Sequence, residues 1–120
     1  MSSPAALQNI EVTRANDWIR EYVVSSKQTD GTFSPMDLTG ASVIAQAWDH
    51  EREFKYADFF VTMVDIPNGK FKLKLTDDQT LHFPDELIYD VVIIDSLGDR
   101  DPYVRGDITV IQGVSRWPRK

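Results

Sequence analysis

The clearest hydrophobic pattern in the chain is the segment 70–75, in which lysines alternate strictly with apolar residues. A period of two residues is typical of a β-strand with one face buried and the other in water. Asn68-Gly69 comes just before this segment, and Asn-Gly between two apolar-periodic runs is a strong hairpin signal. We therefore predict that segments 59–66 and 70–75 form a hairpin closed by a type I′ turn.

Other segments rich in β-branched and aromatic residues also read as strands. The segment 87–95 is nearly continuously apolar, which predicts a central strand that is either buried on both faces or located at an interface, and Gly106 predicts a bulge or bend in the last strand. About seven strands separated by polar turns, with no helix of normal length, indicate an antiparallel β-sandwich. The predicted strands are residues 7–12, 18–25, 42–48, 59–66, 70–75, 87–95 and 102–111.

The connecting segments have weaker signals. Asp30-Gly31 predicts a small hairpin inside the loop 26–40, and Thr76 with Gln79 three residues later predicts a capping box over one helical turn. The hydrophilic segment 49–58 is expected to be a solvated loop or a single helical turn.

The 120 residues suit a single domain with one hydrophobic core, and there is no cysteine to form disulfides or thiolate metal sites. We expect an extended N-terminal arm at 1–8, the β-sandwich domain at 9–113 and a basic C-terminal tail at 114–120. Neither a signal peptide nor an apolar run of membrane-spanning length is recognised, so no membrane partner is expected.

The formal net charge of −6 argues against nucleic acid as a partner, because phosphate binding requires a basic surface. The exception is the tail, where Trp117 lies among the cations Arg116, Arg119 and Lys120. Two interpretations remain open for this tail: a solvated terminus, or a docking segment in which Trp and Arg act as anchors.

Catalytic and metal-binding patterns are missing from the sequence. His50 and His82 lie in different polar loops without metal-ligand spacing, and no nucleophile motif or phosphate loop is present. Asp95, Asp99 and Asp101 around Gly98 are the best metal candidates, because carboxylates in a Gly-containing turn can bind a hard cation such as calcium. Their spacing is not that of an EF-hand, and such residues are also common in hairpin turns. We predict a protein that is not an enzyme and has no cofactor and no metal site.

An aromatic group could instead form a platform for sugar rings, with Trp48, Tyr56 and Phe59 as its members. The competing interpretation is that these rings fill the core, since aromatic residues dominate small β cores. Both interpretations are kept at this point.

Several short motifs, taken in order, resemble a known class of protein. The chain is similar to the small immunoglobulin-like β-sandwich modules found in virion proteins of tailed bacteriophages, including baseplate and tail proteins. The resemblance runs from about Ile10 to Arg116. The motifs that carry it are Asp17-Trp18, Asp37-Leu38-Thr39-Gly40-Ala41, Asn68-Gly69-Lys70, Leu75-Thr76, Tyr89-Asp90-Val91, Asp95-Ser96-Leu97-Gly98, Gly106-Asp107-Ile108-Thr109-Val110 and Gly113-Val114-Ser115-Arg116.

This resemblance implies a structural protein of a phage particle, assembled in the host cytoplasm and located in the virion. Its partners would be other virion structural proteins, in multiple copies within a symmetric assembly, at the baseplate, tail or neck. Capsid decoration and carbohydrate or receptor binding are the alternatives. Since a small domain gains interface area from extended arms, the expected partner contacts are Leu7, Ile10, Trp117 and Arg119.

Overall fold

The computed structural model describes residues 5–27 and 29–113. Within them the chain forms eleven strands and one short α-helix, so the protein is all-β, as predicted. The elements are β1 (Ala6–Leu7), β2 (Ile10–Thr13), β3 (Trp18–Val23), β4 (Ser25–Lys27), β5 (Phe33–Pro35), β6 (Ser42–Trp48), β7 (Lys55–Asp58), β8 (Phe60–Asp65), β9 (Lys70–Leu75), α1 (Asp77–Leu81), β10 (Glu86–Ile94) and β11 (Arg100–Ile111).

The larger sheet has the order β1-β11-β10-β6-β7, and β2 also pairs with β11 beside β1. The pairings among β11, β10, β6 and β7 are antiparallel, whereas β1 and β2 both run parallel to β11. The N-terminal strands therefore complete this sheet by joining the last strand of the described chain.

The smaller sheet has the order β3-β9-β8 and is antiparallel throughout. A separate two-stranded hairpin, β4-β5, contains the turn at Asp30-Gly31 that the sequence predicted. Both sheets bury one face in a common core. Aromatic rings connect them: Tyr103 of the larger sheet packs edge-on against Tyr22 and Phe71 of the smaller one, with ring centroids 6.3 and 6.2 Å apart.

Several sequence predictions are confirmed by these elements. β6 and β9 have the predicted bounds, and in both strands alternate residues are buried. β10 is central in its sheet, with β11 on one side and β6 on the other, but burial of both its faces is wrong, because its residues alternate between buried and partly exposed positions. The capping box before α1 is present, because the Thr76 hydroxyl accepts from the Gln79 backbone N–H while the Gln79 side chain accepts from the Thr76 N–H.

Two predicted segments have different secondary structure. The single strand predicted at 7–12 is two strands, broken at Gln8 and Asn9, whose polar side chains bond to other parts of the fold. The segment 49–58 was predicted without a strand, but it contains β7, a short edge strand. Charged residues at both ends of β7 make it look like a loop, and charges are common on edge strands.

The hairpin of β8 and β9 is confirmed, but the type I′ turn is wrong. Ile66–Asn68 form one turn of 3₁₀ helix, and Gly69 follows in the left-handed region with φ of 71°. Pro67 explains the difference, because its ring fixes φ near −65° and favours a right-handed turn. The left-handed residue needed to close the loop is then Gly69 alone.

The predicted bulge at Gly106 is also misplaced. The register between β10 and β11 shifts where Val91 pairs with Val104 and Val92 pairs with Pro102, so the extra residue is Tyr103. The bulge lets both Tyr103 and Val104 pack against the core. Gly106 instead lies where the backbone of Gln8 crosses β11, in a space that a side chain would fill.

Candidate partner-binding surfaces

The four predicted partner contacts have different places in the structure. Leu7 is 74% exposed at the edge of the larger sheet. Ile10 is only 3% exposed, and its side chain belongs to the core of the domain. Trp117 and Arg119 lie outside the described residues.

Leu7 is held at the sheet edge by contacts of its neighbour Gln8. The Gln8 backbone N–H donates to the Arg105 carbonyl at 2.8 Å, and the Tyr89 hydroxyl donates to the Gln8 carbonyl at 2.6 Å. The Tyr22 hydroxyl donates to the Gln8 side-chain oxygen at 3.0 Å. The segment is thus fixed from both sheets, and the exposed Leu7 side chain has a defined position.

A hollow of about 200 Å³ lies beside Leu7 on the outer face of the larger sheet. Trp48 and Ile88 are neighbours across β6 and β10 and provide apolar surface opposite Leu7. Charged side chains complete the lining: Arg52, Asp90, Arg105 and Asp107. Arg52 and Asp90 approach each other at 4.0 Å. A hollow of this size with both apolar and charged lining suits one sugar ring or one side chain of a partner protein, since pockets for drug-sized ligands span roughly 300–1,000 Å³.

The outer face of the smaller sheet is the second exposed surface, which we call the lysine face. Lysines occupy its central strand, β9, and large apolar residues flank them on both neighbouring strands. Phe60 is 58% exposed. The lysine face consists of Ile19, Glu21 and Val23 on β3, Lys70, Lys72 and Lys74 on β9, and Phe60, Thr62 and Val64 on β8.

The charges of the lysine face are only partly paired. Lys74 approaches Asp17 at 4.0 Å, while Lys70 and Lys72 form no ion pair with any described residue. Glu21 is the direct cross-strand neighbour of Lys72. Lysine stems extend over apolar surface with the charge in water, so the apolar rows of β3 and β8 are linked into one amphipathic surface. Contiguous exposed apolar surface is characteristic of interaction sites.

The acidic turn at 95–101 is explained by its own hydrogen bonds. The Asp95 carboxylate accepts from the backbone N–H groups of Leu97 and Asp99, both at 2.9 Å. No group of three or more His, Asp or Glu side chains suited to a metal ion occurs among the described residues. Asp95 therefore has a structural role in the turn, and Leu97 is exposed at the tip of the turn.

Both histidines are exposed at the surface of the described fold. His50 lies near Glu86, with 3.7 Å between Nε2 and Oε1, and both side chains are substantially exposed. His82 is the C-cap residue of α1 and is exposed. The two histidines therefore lie at the surface, as the sequence analysis expected of polar loops.

The perturbed ionisable groups have structural causes. Hydrogen bonds from the Thr39 hydroxyl and backbone lower the pKa of Asp37, and a hydrogen bond from Lys55 lowers the pKa of Asp58. Burial raises the pKa of Tyr22, Tyr89 and Tyr103, whose rings pack in the core. Each shift accompanies a turn, a strand pair or the core.

The aromatic platform suggested by the sequence is not assembled. Phe59 is 5% exposed and packs edge-on against Trp18 at 5.8 Å, so it cannot stack on a ligand. Tyr56 packs against the core and against Phe54. Trp48 lines the hollow, and its indole N–H donates to Gln46 at 3.2 Å. Of these rings, Trp48 is the one beside a concave surface.

The lysine face was not recognised in the sequence as a candidate site. Its signal was present, because Phe60, Thr62 and Val64 alternate with residues that pack inward, and so do Ile19 and Val23. When both faces of a strand are apolar, the sequence does not say which face is buried. The structure decides this by placing Val61 and Met63 against the core.

The comparisons with known proteins assign no family. No protein-family model matches the chain, and no curated protein is significantly similar to it. Among the described residues, no helix is long and apolar enough to cross a membrane. Function is therefore argued from the surfaces themselves and from the resemblance in the sequence.

Proposed function

We propose that this chain is a non-enzymatic assembly subunit that acts through protein–protein contacts, in the particle of a tailed phage. The phage setting rests on the sequence resemblance alone. Within the particle, a baseplate, tail or neck adaptor is the first choice and capsid decoration the alternative. The partners are other virion structural proteins.

The observation that carries an assembly role is the lysine face. Four large apolar side chains on this face are exposed: Ile19, Val23, Phe60 and Val64. Other residues form the core, so core packing does not require these four to be apolar. Exposed large apolar side chains on one sheet face are typical of a surface that another protein covers. Leu7 adds a second exposed contact on the other sheet.

An immunoglobulin-like sandwich is proposed as the finer description of the fold. In such folds the strands B, D and E share one sheet and the strands C, F and G share the other. Assigning β3, β6, β8, β9, β10 and β11 to B, C, D, E, F and G supports this arrangement, since β3, β8 and β9 form one sheet and β6, β10 and β11 belong to the other.

The assembly role is tested by quantitative mass spectrometry of gradient-purified particles from the source, scored as copies per major capsid protein. A high copy number would indicate capsid decoration, and a low one would indicate the tail, neck or baseplate. Absence from the particles overturns the virion proposal. In a complementation assay, Ile19→Lys should reduce incorporation, whereas Leu97→Lys on the acidic turn is the matched control.

A second candidate function is sugar binding, which the hollow beside Trp48 favours. An indole ring can stack on a sugar face while Asp90, Asp107 and Arg105 bond to hydroxyl groups. Binding on a glycan array that is lost with Trp48→Ala, while the circular dichroism spectrum is unchanged, would support it. An array on which no glycan binds would overturn the sugar proposal.

A further inference from the structure

The hollow beside Trp48 has an ordered floor, because the residues that line it are cross-strand neighbours in the larger sheet. They form two adjacent rows, which are roughly 7 Å apart because residues two apart along a strand have this spacing. The charged side chains of the floor lie on β10 and β11, between an apolar residue of β6 and an apolar residue of β1. The first row is Trp48, Ile88 and Asp107, and the second is Asp90, Arg105 and Leu7.

The indole ring of Trp48 is held in place by a chain of side-chain hydrogen bonds. Its Nε1–H donates to Gln46 Oε1 at 3.2 Å, and Gln46 Nε2 donates to Asp58 Oδ1 at 3.0 Å. Asp58 is in turn bonded to Lys55 Nζ, at 3.0 Å. The polar group of the indole is therefore used within the protein, and what Trp48 offers to a ligand is the apolar surface of its ring.

Arg52 reaches the hollow from a backbone conformation that is rare for its residue type. Its φ is 59°, in the left-handed region, which costs free energy for a residue other than glycine. The turn that holds it is closed by Asp49, whose carbonyl accepts from the Arg52 N–H at 3.0 Å and whose carboxylate accepts from the Glu53 N–H at 2.8 Å. The guanidinium of Arg52 lies 4.0 Å from the Asp90 carboxylate. This distance is too long for a direct hydrogen bond, so both groups can still bond to a ligand.

The charges that line the hollow cancel. Arg52 and Arg105 face Asp90 and Asp107, and neither Arg105 nor Asp107 has an ion-pair partner within 4.0 Å among the described residues. An anionic ligand attracted by the arginines is repelled by the aspartates, and a cationic ligand meets the reverse. A hydroxyl group both donates and accepts hydrogen bonds, so it can donate to an aspartate and accept from an arginine at once. The lining therefore favours an uncharged ligand with several hydroxyl groups.

We infer that the hollow binds one neutral pyranose ring, which packs against Trp48 and places a hydroxyl group between Arg52 and Asp90. Further hydroxyl groups bond to Arg105 and Asp107. This inference rests on the sugar-binding candidate described above and names its ligand class. One ring makes few contacts, so its affinity lies in the millimolar range. Several copies of the chain in one assembly would convert such weak sites into tight attachment to a sugar-covered surface.

NMR titration of the isotope-labelled full chain is the first measurement, with methyl glucoside, methyl galactoside and methyl mannoside as neutral probes and methyl glucuronide as the charged counterpart. Saturable shifts of the Trp48 indole N–H signal are expected with at least one neutral probe, and weaker binding is expected with the glucuronide. No shift with any neutral probe overturns the inference. Tighter binding of the glucuronide overturns the neutral class but leaves sugar binding intact. Mass spectrometry of particles does not depend on either result, so the assembly proposal is tested separately.

Charge substitutions in the hollow test why the ligand is neutral. Asp90→Asn and Asp107→Asn each keep the size of the side chain and remove one negative charge. In each variant the affinity for methyl glucuronide should rise several-fold relative to that for methyl glucoside. Asp101→Asn removes the same charge from an exposed residue outside the hollow, and it is the control in which this ratio should be unchanged. An equal change of the ratio in all three variants overturns the role of the two aspartates.

Arg52→Gly separates binding from folding. Glycine adopts the left-handed conformation without strain, so the urea midpoint should not fall, whereas the affinity for the neutral probe should fall about tenfold with the loss of a charged hydrogen-bond donor. Ala15 is the other described residue besides glycine with a positive φ, at 65°, and it lies outside the hollow. Ala15→Gly is therefore the matched control, and its affinity should equal that of the parent chain. Unchanged affinity in Arg52→Gly overturns the placement of the sugar between Arg52 and Asp90.

Discussion

The Tyr89 hydroxyl donates a hydrogen bond to the Gln8 carbonyl at 2.6 Å and so joins the central strand β10 to the N-terminal segment. Tyr89 is buried, and its hydroxyl emerges from the core where β1 ends. The bond helps to fix the backbone between β1 and β2, together with the Gln8 N–H, which donates to the Arg105 carbonyl of β11. Leu7 and Ile10 are thereby directed to opposite environments, one to solvent and one to the core.

Tyr89→Phe should lower the free energy of unfolding by about 1–3 kcal/mol, because the Gln8 carbonyl loses its donor in a partly buried place. Tyr103→Phe is the matched control. Its hydroxyl donates to the Val23 carbonyl at 3.2 Å in an exposed position, so water can replace it. Urea unfolding of both variants checks this, and equal losses would contradict the role of the Tyr89 bond.

Gly106→Ala should detach the N-terminal segment from β11. An added Cβ would overlap the carbonyl group of Gln8, and overpacking of this kind costs about 1–3 kcal/mol. Hydrogen exchange of the Gln8 amide, which donates to Arg105, should become faster. Gly98→Ala is the control. Its φ of 88° is unfavourable for alanine, but no atom lies within 4 Å of an added Cβ, so the change introduces backbone strain without a steric clash. Unchanged exchange at Gln8 in Gly106→Ala would contradict the prediction.

The stability of the fold should fall at alkaline pH. Burial raises the pKa of Tyr22, Tyr89 and Tyr103 above the value of about 10 in an unfolded chain. The stabilisation is fully present below pH ~10 and is lost as the pH rises from there towards the raised folded-state values, because the unfolded chain ionises first. Urea midpoints measured from neutral to alkaline pH check this.

The Tyr89→Phe variant provides the control for the alkaline loss. It has one fewer buried phenol, so its urea midpoint should decline less steeply above pH ~10 than that of the parent chain. The two proteins differ in this phenol alone, so the difference between their declines reports on Tyr89. Parallel declines would show that Tyr89 ionises as easily in the folded state as in the unfolded one.

Leu38→Ala should cost about 2–5 kcal/mol of unfolding free energy, because the side chain is 1% exposed and its removal leaves a cavity. Leu38 is the residue by which a loop is attached to the core between β5 and β6. Leu97→Ala makes the same change at a residue that is 86% exposed, and it should alter stability by less than about 0.5 kcal/mol. Denaturant unfolding of the pair checks this, and similar losses would contradict the placement of Leu38.

The parts of the fold that the sequence predicted are those with a distinct period. β6 and β9 have clear alternation between buried and exposed positions, so their bounds could be found from the sequence. β7 could not, because a short edge strand with Lys55 and Asp58 has the composition of a loop. The parallel pairing of β2 with β11 has no local signal, since it depends on a partner at the other end of the described chain.

The candidate site was less predictable than the fold. Ile10 was expected to contact a partner, although it shares a face with Val12 and both are buried. The alternation of side chains in this segment therefore already indicated that Ile10 is buried with Val12. The lysine face depends on which side of β8 is covered by the larger sheet, and only the three-dimensional packing determines that.

The parallel contact of β2 with β11 also sets an order for folding. Asn9 bonds to Asp107, 98 residues away, and Ile10 pairs with Ile108. Closing so long a loop is slow, because the chain loses the entropy of loop closure before contacts between distant residues stabilise it. During synthesis the early segment 6–13 has no place in the sheet until β11 has left the ribosome. The native burial of Ile10 and Val12 therefore requires β11, the final strand of the described chain, and cannot precede its synthesis.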